Sequence, residues 1–186
     1  MKTTMFLPLL LLLFPAFLQG QSNNGTSTPN IYTELNEMKA NVTNLENQQQ
    51  VRQVAFSASL LASGESTTGP FSDFTPLIYK HVVTNVGNAY NSDTGVFTAP
   101  VKGAYHFQWY GTGSGGRRTA GVLMKNGGRT FASTEGQDNN LASASNAITL
   151  VLEVGDLVNI NLWPEHVMFD NQNHHCTFSG HLLFTM

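Results

Sequence analysis

The sequence has little charge and almost no cysteine. Lys, Arg, Asp and Glu make up 11% of its 186 residues, against about 25% in an average globular protein, so we expect a polar but weakly charged surface. The single cysteine excludes a small domain held together by internal disulfides. Nine basic and twelve acidic residues give a net charge of −3, without the basic stripe that phosphates require, so nucleic acid is not an expected partner. The length allows one core of roughly 100–150 residues.

The N-terminal residues predict a secretory signal peptide over residues 1–20. Lys2 precedes an uncharged, largely apolar run over residues 5–18, and Gly20 supplies a small residue for cleavage. This run is shorter than the ~20 residues needed to cross a bilayer, and the sequence has no second run of this kind. We therefore expect a secreted, extracellular protein without a membrane span, with a signal anchor as the alternative.

Residues 21–30 and 31–50 differ in their apolar content. The first segment has almost nothing to bury and predicts a flexible linker. In the second, apolar residues recur at alternating spacings of four and three, which indicates a short coiled coil. Such a short helix is marginal in water by itself, so we expect it to associate with other copies, with packing onto its own domain as the alternative. The predicted oligomerisation seam is Leu35, Met38, Val42 and Leu45.

Two Asn-x-Thr sequons are chemically meaningful in a secreted chain. Asn24 begins one in the predicted linker and Asn41 begins the other within the predicted coiled coil. Both lie outside the predicted folded domain, which makes both candidate glycosylation sites. A glycan on Asn41 would lie beside the seam and would weaken the case for a tightly packed coil there.

Residues 51–186 predict an all-β domain because the apolar period changes there from 3.6 to 2. Aromatic residues at 105, 107 and 109 share one face, and Asn126-Gly127 is a strong two-residue hairpin signal. Gly155-Asp156 is predicted to separate the next two strands in the same way. Many short strands with Gly, Asn, Asp and Pro turns predict a sandwich or jelly roll of about eight to ten strands.

Residues 79–109 resemble the signature of the complement C1q-type globular domain. The signature is a spaced set of aromatic residues with one Asn and one Gly, ending in Tyr-x-Phe-x-aromatic. A second matching segment covers residues 178–184, where His181 replaces the more usual Phe. Tyr79 and Trp109 also depart from the usual residues, but both keep an aromatic ring. The resemblance covers about residues 51–186 and rests on Tyr79, Asn85, Tyr90, Phe97, Gly103, Tyr105, Phe107, Trp109, Phe178 and Gly180.

The resemblance implies a ten-stranded C1q/TNF-like jelly roll that forms a homotrimer and binds other molecules through exposed loops. With a short coiled coil in place of a collagen stalk, the chain is similar to secreted C1q-like and cerebellin-like proteins. We expect recognition of microbial or altered cell surfaces in innate immunity. A signalling ligand for a cell-surface receptor, cerebellin-like or adipokine-like, is the alternative. The sequence shows no spaced set of acid, base and nucleophile, so we do not expect an enzyme.

Arg117 and Arg118 are the candidate ligand-binding residues. They follow a Gly-rich stretch over residues 111–116, which lacks the Lys-Ser/Thr ending of a phosphate-binding loop and predicts a flexible connection between strands. The two arginines could engage an acidic partner or a sulfated glycan, and two solvated loop charges are the alternative.

Calcium is the one cofactor that the resemblance raises, since some C1q-type domains bind it near the top of the trimer. In the matching loop, Glu135 and Asp138 carry the hard oxygen ligands that calcium prefers. Thr134 and Ala142 stand where other members have acids, so exposed loop acids without a metal are the alternative.

His174, His175 and Cys176 are three potential metal ligands in a row. Adjacent residues of a strand point to opposite faces and do not easily bind one ion. Cys176 is therefore predicted to be a buried free thiol, with an interchain disulfide as the alternative.

Overall fold

The structure is a computed structural model that describes residues 30–51, 53–136 and 141–186. The predicted signal peptide, Asn24 and Asp138 lie outside these residues, as does the predicted linker apart from Asn30. The described residues form one helix and thirteen strands. These are α1 (Ile31–Val51), β1 (Ala55–Ser59), β2 (Ser66–Thr68), β3 (Thr75–Pro76), β4 (His81–Val86), β5 (Tyr90–Asn91), β6 (Val96–Thr98), β7 (Gly103–Gly113), β8 (Thr119–Lys125), β9 (Gly128–Glu135), β10 (Ala142–Leu152), β11 (Leu157–Leu162), β12 (Met168–Asp170) and β13 (Thr177–Thr185).

Helix α1 begins immediately after Asn30, whose side-chain oxygen accepts a hydrogen bond from the Tyr32 amide at 3.1 Å. This bond satisfies one of the unpaired amides of the first turn, which is why Asn is favoured at this position. In the part of the chain that the structure describes, no helix is long and apolar enough to cross a membrane. The four predicted seam residues are 40–63% exposed: Leu35, Met38, Val42 and Leu45.

The strands form a jelly-roll-like sandwich, which confirms the predicted fold class. One sheet has the order β10-β7-β13-β1-β4, and the other has the order β5-β6-β11-β8-β9 with β3 paired to β11. A small third sheet pairs β2 with β12. All the pairs are antiparallel. Eight strands have five or more residues and five have only two or three. The described residues thus form thirteen strands, more than the eight to ten predicted, because five short strands lie between the longer ones.

The core lies between the two large sheets, and its largest fully buried side chains are aromatic rings. Tyr105, Phe107 and Trp109 alternate on the inner face of β7, and none of them is exposed. Phe97 of β6 meets the ring of Phe107 edge-on with centroids 5.2 Å apart. The Trp109 indole Nε1–H donates to the Ser133 hydroxyl at 3.0 Å, so its buried polar edge is paired across the sandwich.

Two turns that look alike in the sequence connect their strands differently in the structure. Asn126 and Gly127 both have positive φ, 49° and 78°, and connect β8 to its antiparallel partner β9, which confirms the predicted hairpin. The prediction for Gly155-Asp156 is wrong in its pairing, because β10 pairs with β7 whereas β11 pairs with β8. That turn carries the chain from one sheet to the other.

The Gly-rich stretch over residues 111–116 is only partly a loop. Its first three residues continue β7, which ends at Gly113. A Cβ on Gly113 would lie 2.8 Å from the Arg117 carbonyl oxygen, so this strand end needs a glycine because the returning backbone passes close to it. The flexible connection predicted there is therefore shorter than expected.

Candidate functional site

The signature residues form the inner layer of the sandwich. All of them are buried except Asn85, which is half-buried. A Cβ on Gly180 would overlap the ring of Phe107, so this position must be glycine for β13 to pack beside β7. The Asn85 amide donates to the Tyr90 carbonyl at 2.8 Å, and its oxygen accepts from the Tyr90 amide at 3.2 Å. These contacts give Asn85 the role of closing the turn between β4 and β5.

The hydroxyl of one signature tyrosine, Tyr90, is hydrogen-bonded to the backbone of another, Tyr79. The Tyr90 hydroxyl donates to the Tyr79 carbonyl at 3.0 Å and accepts from the Tyr79 amide at 3.2 Å. Burial raises the pKa of Tyr90 to about 12 and raises the pKa of Tyr79 well above its usual range. Both side chains therefore stay neutral at physiological pH and serve the core.

The opposite surface of the five-stranded sheet, which we name the outer face, is built from the residues that alternate with the signature. The strand register aligns them in rows, with Thr149, His106 and His181 forming one row across β10, β7 and β13. Its described members are Ser145, Ala147, Thr149 and Val151 of β10, Ala104, His106, Gln108 and Tyr110 of β7, Thr177, Ser179, His181 and Phe184 of β13, Ala55, Ser57 and Ser59 of β1, and His81, Thr84 and Val86 of β4.

None of these members of the outer face is Lys, Arg, Asp or Glu. Several are large and exposed: Tyr110 by 48%, Val151 by 51% and Phe184 by 59%. Charged residues are depleted and Tyr and Phe are enriched at the centre of protein interfaces, whereas an ordinary solvated surface carries both charge signs. The outer face thus has the composition of a contact surface.

A second candidate region lies where β8 begins and β9 ends. Thr119 pairs with Glu135 across these strands, and Arg117 and Arg118 directly precede Thr119, exposed to solvent. The Arg118 side chain runs beside Gly136, where a Cβ would lie 3.0 Å from its Cγ. The structure therefore brings the predicted ligand-binding residue Arg118 to the same strand end as the predicted calcium ligand Glu135.

The calcium prediction stays a prediction. The Glu135 carboxylate accepts a hydrogen bond from the Gly136 amide at 3.0 Å, and Asp138 lies outside the described residues. Across residues 30–51, 53–136 and 141–186, no three His, Cys, Asp or Glu side chains converge as metal ligands.

Comparison with known families decides the identity of the sandwich. A family model of the C1q domain matches residues 55–183, which is more than half of the chain and includes every signature residue. The chain belongs to the C1q domain family. C1q/TNF-like domains typically form trimers and bind ligands, and are generally recognition or ligand proteins without enzymatic activity. Proteins with a C1q domain are typically secreted or extracellular.

Solved structures share the fold of this C1q domain. The globular domain of zebrafish complement 1qA protein matches with a TM-score of 0.58 and 19% identity, covering 72% of this chain and 99% of that one. Murine APRIL at pH 5.0 matches with a TM-score of 0.56 and 11% identity, covering 70% and 99%. Eiger TNF from S. frugiperda matches with a TM-score of 0.56 and 15% identity, covering 73% and 95%. At these identities the similarity shows the fold alone.

Cys176 of the C1q domain is buried, as predicted, and the absence of an interchain disulfide stays a prediction. Its Sγ–H donates to the Phe169 carbonyl at 2.9 Å, and its sulfur accepts from the Thr112 amide at 3.3 Å. Burial raises the pKa of the Cys176 thiol to about 12, so the reactive thiolate is scarce at neutral pH.

Two histidine pairs of the C1q domain are absent from the expectations drawn from the sequence. His106 and His181 face each other across β7 and β13, with ring centroids 5.7 Å apart and planes inclined by 54°. His81 and His174 stack in parallel, with centroids 4.3 Å apart and an angle of 8°. The strand register brings His106 to His181, whereas His174 reaches His81 from the connection between β12 and β13. A linear reading of His174 and His175 could not find either pair.

Proposed function

We propose that this chain is a secreted, homotrimeric recognition protein whose copies associate through the outer face. Its exposed loops would bind microbial or altered cell surfaces in innate immunity. The observation that carries the association is the absence of formal charge from the described members of the outer face, combined with the exposure of Tyr110, Val151 and Phe184. Burial of such a surface removes apolar area from water without the cost of desolvating a charge.

The family supports three copies, and symmetry supports a closed assembly. C1q/TNF-like domains typically form trimers, and a ring of identical contacts closes at a fixed number of copies. The exposed seam of α1 supports the same assembly, because a coiled coil needs partners for its apolar stripe.

Recognition is assigned to the strand end that carries Arg117, Arg118 and Glu135. These side chains are exposed and combine both charge signs, which suits a polar or glycan ligand better than an apolar one. Each contact of this kind is weak in water. Three copies on one rigid assembly would raise the overall affinity by avidity.

The first test is the molar mass of the mature protein in solution, measured by light scattering with and without reductant. We expect three chains in both conditions, because Cys176 is buried. The variant Gln108→Arg places a charge in the middle of the outer face and should release single, folded chains. Thr67→Arg adds the same charge to exposed strand β2, outside the outer face, and should leave three. A molar mass of one chain for the unmodified protein would contradict the proposal.

Deleting residues 21–50 separates the two possible sources of association. If the outer face specifies the trimer, the shortened protein still has a mass of three chains. A folded single chain would show that the predicted coiled coil drives assembly instead.

The recognition role is tested by binding to bacteria and to lipopolysaccharide. The variant Arg117→Ala/Arg118→Ala should lose retention, while Lys80→Ala/Lys102→Ala removes equal charge elsewhere and should keep it. If no microbial surface retains the unmodified trimer, the recognition role is wrong. Saturable binding to one host-cell protein would then support a signalling ligand.

A further inference from the structure

We propose that a pocket beside Trp163 binds a small, uncharged phenol, which is an aromatic ring that carries a hydroxyl group. The pocket, which we name the Trp163 pocket, has a volume of about 280 Å³, close to the lower end of the range for small-molecule sites. A dry cavity of about 150 Å³ can hold benzene, so this pocket has room for one substituted ring. Its lining residues are Ala120 of β8, Ala132, Ser133 and Thr134 of β9, and Trp163 and His166 of the connection between β11 and β12.

The strand register explains why the pocket exists. Ser133 points into the sandwich, where its hydroxyl accepts from Trp109, so its neighbour Thr134 points to the opposite side of the sheet. Thr134 pairs with Ala120, and the Ala120 carbonyl accepts a hydrogen bond from the Trp163 amide at 3.1 Å. The small Ala120 therefore lies between two residues with larger side chains, and this difference in size leaves the pocket open.

The aromatic wall of the pocket is held in place before a ligand binds. Leu162, the last residue of β11, is fully buried in the core, so Trp163 points away from the core. The Phe74 ring meets the Trp163 ring edge-on with centroids 4.8 Å apart. The Arg129 guanidinium lies 5.2 Å from the Phe74 ring centroid and 6.0 Å from that of Trp163. These contacts restrict the Trp163 ring, so binding does not have to order it.

His166 supplies a hydrogen-bond acceptor whose identity the structure determines. Its Nδ1 lies 2.7 Å from the Pro164 carbonyl oxygen. A carbonyl only accepts, so Nδ1 carries the hydrogen and the lone pair of the neutral ring is on Nε2. The hydroxyl of the exposed residue Thr134 can donate or accept. A phenol hydroxyl also does both, so it can donate to Nε2 of His166 and accept from Thr134.

The lining favours an uncharged ligand with little polar surface. None of the described lining residues is Lys, Arg, Asp or Glu, so a charged ligand would lose water without gaining an ionic partner. A sugar carries several hydroxyl groups and would leave most of them unpaired, because the lining has few polar side chains and Ser133 already uses its hydroxyl toward the core. Every lining residue lies outside the outer face and one chain supplies them all, so the pocket does not depend on the proposed association.

The test is a titration of the full mature chain with p-cresol near neutral pH, followed by NMR. The chain has two tryptophans, and we expect p-cresol to shift the indole N–H resonance of Trp163 more than that of the buried Trp109 and to saturate. p-Xylene, with a methyl group in place of the hydroxyl, should bind about three- to tenfold more weakly because a hydrogen bond is lost. His166→Phe should abolish this preference for p-cresol, whereas His175→Phe, an equal change at an exposed histidine outside the pocket, should keep it.

A second variant closes the pocket itself. Ala120→Leu places a larger side chain at its bottom and should abolish the shift of Trp163, while the Trp109 resonance reports whether the variant is folded. The absence of a saturable Trp163 shift with p-cresol in the unmodified protein overturns the proposal. Tighter binding of methyl glucoside than of p-cresol overturns it too, as does an unchanged preference for p-cresol in folded His166→Phe.

Discussion

The two faces of strand β7 have different tasks. Tyr105, Phe107 and Trp109 point inward and are fully buried, while Gln108 and Tyr110 alternate with them and are exposed. The inward residues carry the family signature and make the aromatic contacts of the core. The outward residues belong to an uncharged surface that the core does not need. A match to the signature therefore identifies the fold, whereas the partners depend on residues that the signature leaves open.

The largest loss of stability should come from removing an aromatic ring from the inner face. Phe107→Ala removes a buried ring that packs against Phe97 and Phe178, and we expect it to lower the free energy of unfolding by about 3–5 kcal/mol. Phe131→Ala removes the same group from a half-exposed position on β9 and should cost much less. Denaturant unfolding at matched protein concentration measures both. Equal losses would contradict the division between buried and exposed aromatics.

A smaller effect is expected from single hydroxyl groups. Tyr90→Phe leaves the buried backbone amide and carbonyl of Tyr79 without their partner, which should cost about 1–3 kcal/mol. Tyr110→Phe, measured in single chains that carry Gln108→Arg, removes a hydroxyl that water can solvate on the open outer face and should change the unfolding free energy by less than about 0.5 kcal/mol. Denaturant unfolding of both variants tests this difference, and a Tyr110 effect as large as that of Tyr90 would contradict it.

Burial in the core should also protect the Cys176 thiol from chemical labelling. Because burial raises the pKa of Cys176 to about 12, we expect a thiol reagent at about pH 8 to label the native protein at least about tenfold more slowly than the unfolded protein. The rate is followed by mass spectrometry. Rapid labelling of the native protein, or a reductant-sensitive dimer on a gel, would show that the thiol is accessible.

The smallest effect should come from a turn that belongs to neither face. The Asp156 carboxylate accepts hydrogen bonds from the Asn126 amide, the Glu153 backbone amide and the Lys125 ammonium group. These contacts lower its pKa from 3.8 to about 2. The stabilisation is therefore complete above about pH 3.8 and is lost as the pH falls through about 2.

Asp156→Asn tests this dependence. We expect a small loss of stability near neutral pH, and the gap between the variant and the unmodified protein should narrow as the pH falls from about 5 to about 2. Denaturant unfolding across this range measures the gap. A gap that stays constant with pH would contradict the assigned role of the carboxylate.

Local patterns were enough to predict the inner face. The alternation of Tyr105, Phe107 and Trp109 with polar residues predicts a half-buried strand, and Asn126-Gly127 predicts a hairpin because both residues tolerate positive φ. Gly155-Asp156 shows the limit of such patterns. A turn has the same residues whether its strands pair with each other or belong to different sheets, and only long-range packing distinguishes the two.

The outer face could not be predicted in the same way. Its residues come from five strands spread along the C1q domain, and their common lack of charge becomes visible only when the register aligns the rows. The pairing of His106 with His181 has the same origin. Arg118 and Glu135 were found in the sequence as separate candidates, and their position at one strand end depends on the pairing of β8 with β9.

The uncharged outer face also determines how the proposed association should respond to ionic strength. Dissolved salt screens attractions between exposed charges that lie more than about 8–10 Å apart. The described residues of this face include no Lys, Arg, Asp or Glu whose attraction could be screened. Strongly hydrated salts such as sulfate favour the burial of apolar surface. An assembly held through this face should therefore keep its mass from dilute buffer to concentrated salt, and it should become tighter in sulfate.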